Sequence, residues 1–228
     1  VRFDLNLKKD NDTWEVLDKK VDIIEVKEYE ASEELKEHAK EAHEATLDFI
    51  EKEIGTATGD FHPAPEVKGI PEAQIRDTAV MDLINEVQLK YSGADVSAAA
   101  LFKDDSNIKE GPVNFASIFD IYKYPNTLKV VEVTGTELKN YMEWSVAYYN
   151  TYKPGDVTIS FNPEIRGYKY DMFAGVDYKI DISKPAGERI VDLEFNGKPV
   201  QSEDKLKLTI NDYRYSGLKG EGILSGEP

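Results

Sequence analysis

The chain has 228 residues, 40% of them hydrophobic, which is enough for one large domain, or one domain with an appendage, around a packed core. Forty-four acidic against 28 basic residues give a formal net charge of -16, which argues against a nucleic-acid backbone or an anionic membrane surface as the main partner. The absence of cysteine removes disulfides, thiolate catalysis, zinc-thiolate sites and iron-sulfur clusters, and no apolar run approaches the roughly 20 residues that a membrane helix needs.

Residues 1 to 26 alternate apolar and polar (Val1, Phe3, Leu5, Leu7, then Trp14 and Val16) around the turn cluster Lys8-Lys9-Asp10-Asn11-Asp12. The pattern predicts a hairpin followed by a third short strand, Val21 to Val26. A lone hairpin is marginal in water, so it reads as the trailing edge of a sheet whose other strands lie upstream. Ser32 to Glu53 predicts a long amphipathic helix with Ser32 as cap, Leu35, Ala39, Ala42, Thr46, Phe49 and Ile50 as one stripe, and Gly55 past its end. Thr56 to Pro71 has no period and reads as a loop, after which a second domain begins.

In that domain Asp77 is expected to cap a helix running to about Tyr91, with Val80, Leu83, Ile84 and Val87 inside and Gly93 as its stop. Asn114 caps a short helix through Tyr122, and Leu128 to Val133 reads as a strand. Thr134-Gly135-Thr136-Glu137 is a capping box that opens a helix whose Leu138, Tyr141, Met142, Ser145, Tyr148 and Tyr149 share a face. Strands follow at Val157 to Phe161, Gly175 to Ile182, Ile190 to Phe195 with a turn at Asn196-Gly197, and Lys205 to Ile210. The order predicts an α+β fold with a mixed sheet and helices covering one face.

No phosphate loop, nucleophile elbow or His-Glu-x-x-His motif occurs. His38 and His43 stand five apart on the long helix, off the spacing of a metal pair, and His62 lies alone in the Pro-rich loop. Thirteen tyrosines stand out instead, with two clusters just past core elements: Tyr122-Lys123-Tyr124-Pro125-Asn126, and Asp212-Tyr213-Arg214-Tyr215-Ser216-Gly217 after the strand ending at Ile210. An aromatic face stacks on a nucleobase for about 1 to 3 kcal/mol, and two such faces can clamp one ring. Spacing alone leaves open whether these tyrosines clamp a base or cover the core.

The stretches Tyr122 to Leu128, Val133 to Lys139, Phe173 to Tyr178, Phe195 to Pro199 and Asn211 to Arg214 resemble the C-terminal domain of the 5'-nucleotidase family, nearest its 2',3'-cyclic-nucleotide 2'-phosphodiesterase/3'-nucleotidase branch. The resemblance implies a two-domain hydrolase in which an N-terminal calcineurin-like metallophosphatase domain holds two divalent metal ions and acts by two-metal chemistry. Its C-terminal domain supplies the nucleoside pocket. On this plan residues 1 to 30 are terminal strands of the metallophosphatase domain, 31 to 70 a linker helix and loop, and 71 to 228 the nucleotide-binding domain. That catalytic domain's metal-ligand motifs do not occur here, so this stretch is expected to bind without cutting, with no catalytic or metal residue of its own. The base-stacking aromatics fall on Tyr124 and Tyr213, and the asparagine after the first stacker on Asn126. The family's Asn-Asn-Tyr-Arg reads Asn211-Asp212-Tyr213-Arg214, putting a carboxylate at Asp212 that can still accept from an exocyclic amine. Arg214 either contacts substrate or pairs with an acid, and Gly217 is expected to make a backbone turn beside the pocket.

Where the 5'-nucleotidase branch carries Gly-Gly-Gly-Ile-Arg with a phosphate-binding arginine, this chain reads Ala98-Ala99-Ala100-Leu101-Phe102. The resemblance further implies a secreted, cell-wall-associated or periplasmic bacterial protein, with a nucleotide or nucleoside, adenine foremost, as ligand and no nucleic-acid polymer or membrane span. The 5'-nucleotidase/UDP-sugar hydrolase branch, a non-catalytic nucleoside-binding module and an adhesive domain with a vestigial pocket remain as alternatives.

Overall fold

Strict alternation over the first residues produces an antiparallel hairpin of β1 (Arg2–Asp10) and β2 (Thr13–Asp22) in the computed structural model, which describes residues 1 to 103 and 105 to 228. Asn11 supplies the left-handed turn residue at φ 53°, a conformation asparagine tolerates. Phe3 faces Val21 and Leu7 faces Val16, so one side of the hairpin is apolar. The predicted third strand does not form. β2 itself runs to Asp22, and Val26–Glu28 closes as a 3-10 turn. Helix α1 (Glu33–Ile50) starts where Ser32 Oγ accepts the Leu35 amide at 3.4 Å and stops three residues before the predicted end. Gly55 lies not in a stop but in a strand, β3 (Glu53–Ala57).

The chain divides into two compact units, Val1–Phe49 and Ile50–Pro228. The second therefore begins well before residue 71, because β3 pairs with β5 (Gly111–Asn114) and Phe61 exchanges backbone bonds with Ile108 and Val80, so the segment read as a linker loop is tied into the domain. Between these lie α2 (Ala79–Ser92) and β4 (Val96–Ala99). Thr78, not Asp77, is the N-cap residue of α2, while Asp77 Oδ1 accepts the Thr78 amide at 2.9 Å. Gly93 ends α2 at φ 64°, as read. Val87 is exposed instead of buried. The inward stripe passes through Met81, Asn85 and Gln88, and the two polar side chains reach Ser97 Oγ of β4 at 2.8 Å each.

After α3 (Phe115–Ile121), capped by Asn114 and Ser117, come β6 (Leu128–Thr134) and α4 (Gly135–Val146). The remaining strands are β7 (Met172–Ala174), β8 (Asp177–Ile180), β9 (Ile190–Phe195), β10 (Lys198–Pro199) and β11 (Lys205–Asn211), with α5 (Asp212–Gly220) last. No strand forms over Val157 to Phe161 beyond one bridge from Phe161 to Tyr149. The Lys153–Asp156 turn and Pro163 bracket it, and Val157 is fully exposed. The main sheet has the order β6-β11-β4-β7, with β11 parallel to β4 and antiparallel to β6, so the mixed α+β reading holds. Ser97 faces α2 while Val96 and Leu208 point the other way and are equally buried, so the two central strands are covered on both faces. Gly175, at φ 88° between β7 and β8, is required: a Cβ there would sit 2.1 Å from the Asp95 carbonyl oxygen.

Helix α4 ties the sheets together. Leu138, Tyr141, Met142 and Ser145 are fully buried on the predicted face. At its C-terminal end the buried Arg189 guanidinium donates to the carbonyls of Val146 and Tyr149 at 2.8 Å, supplying donors that a helix end lacks. At its N-terminal end Thr134 and Glu137 form the capping box, and Glu137 also accepts from the Ser225 amide at 2.9 Å. Burial alone would raise the Glu137 carboxyl, but the Ser225 and Thr134 hydrogen bonds outweigh it and hold it at about 2, against an ordinary 4.5. A depressed folded value means stability that is present above the unfolded value and is lost as pH falls through the folded one. Glu137→Gln is therefore expected to destabilise at pH 7, and the gap from wild type in denaturant midpoint should close as pH falls from 4.5 toward 2. A gap constant with pH would contradict this.

Candidate nucleobase site

The register of β6 against β11 places Leu128 opposite Asn211, so the two tyrosine clusters emerge at the same end of the sheet, one just before β6 and the other just after β11. Pairing continues beyond the strands. The Asp212 N–H donates to Thr127 O at 2.9 Å, and the Thr127 N–H donates back to Asp212 Oδ1 at 3.1 Å. These two bonds stitch the Tyr124 loop to the first turn of α5.

Tyr124 and Tyr213 are both exposed, at 47% and 61%. The ring of Phe102, just past β4, meets Tyr124 and Tyr122 edge to face at 4.9 and 5.1 Å, while the Lys123 ammonium lies over the Tyr124 ring at 5.2 Å. Asn126 is half-buried, and its Nδ2 donates to Tyr122 Oη at 3.3 Å. Phe102 was not foreseen as a buttress. The available signal was a single bulky ring after the small run Ala98-Ala99-Ala100, at the end of a strand next to the base loops.

The segment from Asp212 is helix, not loop. Asn211 caps it, Oδ1 accepting the Arg214 amide at 2.7 Å, and Asp212 sits in the first turn where a carboxylate suits the helix dipole. Gly217 accordingly makes no turn. It lies inside α5 without a positive φ, and a Cβ on it would touch nothing within 4 Å. Gly217→Ala is expected to stabilise the chain by about 0.5–1 kcal/mol through helix propensity, read from the thermal or denaturant midpoint; a loss would restore a turn role.

Arg214 takes the pairing option. It is buried, its Nε 2.7 Å from Asp171 Oδ2, its Nη2 donating to the Tyr168 carbonyl at 2.6 Å, and its guanidinium over the Trp144 ring at 5.1 Å. Asp171 also accepts from Tyr141 Oη at 2.8 Å, and burial pushes its carboxyl up despite the guanidinium. The arginine anchors the start of α5 from beneath. Removing one member of such a buried pair is expensive, so Arg214→Ala should cost about 3–5 kcal/mol of stability in equilibrium denaturation; a change under about 1 kcal/mol would show the pair to be loosely held.

A cavity of about 590 Å³ between α2 and the β7-β8 segment lies elsewhere and includes none of the predicted site residues. It is lined by Asp77, Asp82, Tyr149 and Tyr178 among others, and burial followed by the neighbouring Asp77 raises the Asp82 carboxyl. Tyr124 and Tyr213 instead stand exposed on the surface.

A model of the 5'-nucleotidase C-terminal domain matches residues 53 to 225. The chain belongs to the 5'-nucleotidase family. It is 31% identical to the 2',3'-cyclic-nucleotide 2'-phosphodiesterase/3'-nucleotidase of Yersinia enterocolitica, over 77% of this chain and 31% of that protein. It is 27% identical to the trifunctional nucleotide phosphoesterase YfkN of Bacillus subtilis, over 96% of this chain and 17% of that protein. A Staphylococcus aureus 5'-nucleotidase solved with alpha-ketoglutarate superposes with a TM-score of 0.72 at 25% identity, covering 97% of this chain and 42% of the other. The 5'-nucleotidase precursor of Thermus thermophilus shares the fold at a TM-score of 0.63. The chain thus spans well under half the length of these relatives.

Among the described residues no three His, Asp or Glu side chains gather as metal ligands. His38 and His43 are exposed, and His62 is buried with its backbone paired to Asn107. The donors present do not fit a two-metal centre. Among the described residues no helix is long and apolar enough to cross a membrane.

Proposed function

We propose that this chain is the nucleobase-recognition domain of an exported bacterial nucleotide hydrolase of the 2',3'-cyclic-nucleotide 2'-phosphodiesterase/3'-nucleotidase type, in which Tyr124 and Tyr213 clamp the base. The observation that carries the reading is the pair of exposed rings stitched to one sheet end by the reciprocal Asp212–Thr127 bonds. An exposed tyrosine on a fixed loop offers a π-face at little ordering cost, which is what stacking requires. Asp212 Oδ1 is engaged by the Thr127 and Tyr213 amides, leaving Oδ2 to accept from an exocyclic amine such as that of adenine. Asn126 supplies an amide beside the first ring. Phe102 at the position of the 5'-nucleotidase arginine supports the cyclic-phosphodiesterase branch over the 5'-nucleotidase/UDP-sugar branch. Phosphate chemistry falls to a metallophosphatase domain with two divalent ions, whose ligands the described residues do not supply.

Adenosine and 3'-AMP titrated calorimetrically into the chain should bind, and Tyr124→Ala and Tyr213→Ala should each weaken adenosine by about 1–3 kcal/mol, or roughly 5- to 150-fold. No binding by wild type, or unchanged binding by both variants, would overturn the clamp and favour a structural or adhesive domain.

A further inference from the structure

We propose that the cavity between α2 and the β7-β8 segment is a second ligand site, shaped for a small organic ammonium ion and independent of the tyrosine clamp. All its lining residues lie within one compact unit, Ile50–Pro228, and at about 590 Å³ it falls in the size range of small-molecule pockets, roughly 300–1,000 Å³. Its floor is aromatic. Tyr149, Tyr170 and Phe173 are buried and Tyr178 is half-buried; the Tyr149 and Tyr170 rings meet edge to face at 5.2 Å, those of Phe173 and Tyr178 at 6.1 Å. Hydrogen bonds fix two of these rings in advance: Tyr149 Oη donates to the Gln74 carbonyl, and Tyr178 Oη accepts the Phe173 amide at 3.3 Å. Ile159, Met172, Val176, Ile180 and Ile182 extend the floor into an apolar wall.

The rim is acidic. Asp77, Asp82 and Asp177 line the cavity and are exposed. Arg76 lines it too, but its guanidinium is already held by Glu72 at 2.7 Å and Glu66 at 3.0 Å, so it does not offset the three carboxylates. Burial, then the charge of Asp77, raises the Asp82 carboxyl, and the same Asp77 carboxylate adds to burial in raising the Tyr170 and Tyr178 hydroxyls. Asp77 thus faces Asp82 along the rim and the tyrosines across the cavity. Rings below and carboxylates above make the combination that recognises alkylammonium groups, and the apolar wall favours a cation that carries carbon. A metal ion fits poorly, since among the described residues no three His, Asp or Glu side chains gather as ligands. An anion would add to the repulsion between the carboxylates, and a neutral ligand would leave it in place.

The test titrates choline and its uncharged isostere dimethylbutanol into the full chain by calorimetry, and follows the Met172 methyl resonance in methionine-labelled protein. Choline should bind and shift that resonance, and dimethylbutanol should bind at least about 5-fold more weakly. The double variant Asp77→Asn, Asp82→Asn keeps the shape of the rim and removes its charge; it should weaken choline about 3- to 10-fold and dimethylbutanol by less than about 2-fold. Tyr178→Leu should weaken choline about 3- to 30-fold, and Tyr124→Ala should leave choline binding unchanged. The double variant changes only exposed side chains, so it decides the matter even where Tyr178→Leu fails to fold. Equal affinity for choline and dimethylbutanol would make this a neutral apolar pocket and overturn the proposal. So would the absence of choline binding, choline binding that the double variant does not weaken, or a Met172 methyl that does not move. Loss of choline binding in Tyr124→Ala would place the cation at the base loop instead. Adenosine titrated into the same protein reads the clamp separately, so either reading can fail alone.

Discussion

The antiparallel pairing of β6 with β11 is the constraint on which the rest of the domain depends. Seven consecutive residue pairs lock the register, and each strand passes without a spacer into a helix, β6 into α4 and β11 into α5. A slip of one residue would turn Leu206, Leu208 and Ile210 out of the core and carry Val131 and Val133 with them, so the register is held by burial as well as by hydrogen bonds. The Tyr124 loop and the start of α5 with Tyr213 both lie at the same end of this pair. The juxtaposition of the two segments is thereby a property of the sheet, and the Asp212–Thr127 bonds extend it one step past the last ladder pair.

Beneath that surface the domain relies on charges taken inside. Arg189 closes the end of α4, the Glu143 carboxylate accepts the amides of Arg189 and Ile190, and the Asp171–Arg214 pair holds the start of α5 against Trp144 and Tyr141. The Arg189 guanidinium and the Glu143 carboxylate are each satisfied from more than one direction, the condition under which burial of charge is tolerated, whereas Arg214 Nε lies 2.7 Å from Asp171 without a well-formed hydrogen bond. Arg189 and the Asp171–Arg214 pair fasten helix ends, where backbone groups lack partners of their own, and Glu143 fastens the start of β9. The polar interior therefore sets where helices begin and end, and the apolar interior sets which faces they bury.

Much of this was legible in the sequence, and the reasons differ by element. The Thr134–Glu137 capping box, the Asn196-Gly197 turn with φ of 50° and 70°, and the Gly93 stop are local signals whose chemistry does not depend on the rest of the fold. β4 escaped notice because Val96-Ser97-Ala98-Ala99 is buried on both faces and shows no alternation. β3 and β5 escaped because each is held only by the other, across more than fifty residues of chain. α5 was read as a loop because its Tyr, Arg, Ser and Gly content is poor for helix; the Asn211 cap and the Arg214 anchor override that propensity. Among the site residues, Tyr124 and Tyr213 were marked by composition and resemblance, and the structure brings their segments together. Phe102 was not marked, because an edge-to-face contact between residues of two loops distant in sequence leaves no trace in spacing.

The stitch between the Tyr124 loop and α5 has a consequence for how this domain can change over generations. It is made by the backbone of Thr127 and Asp212 and by one aspartate oxygen, and neither tyrosine ring takes part in it. Exposed side chains that the scaffold does not lean on can be exchanged at little cost in stability. Positions 124 and 213 are thus free to drift among ring types while the frame that spaces them stays fixed, so under the proposed clamp a new ligand preference would need only single substitutions and no prior stabilisation.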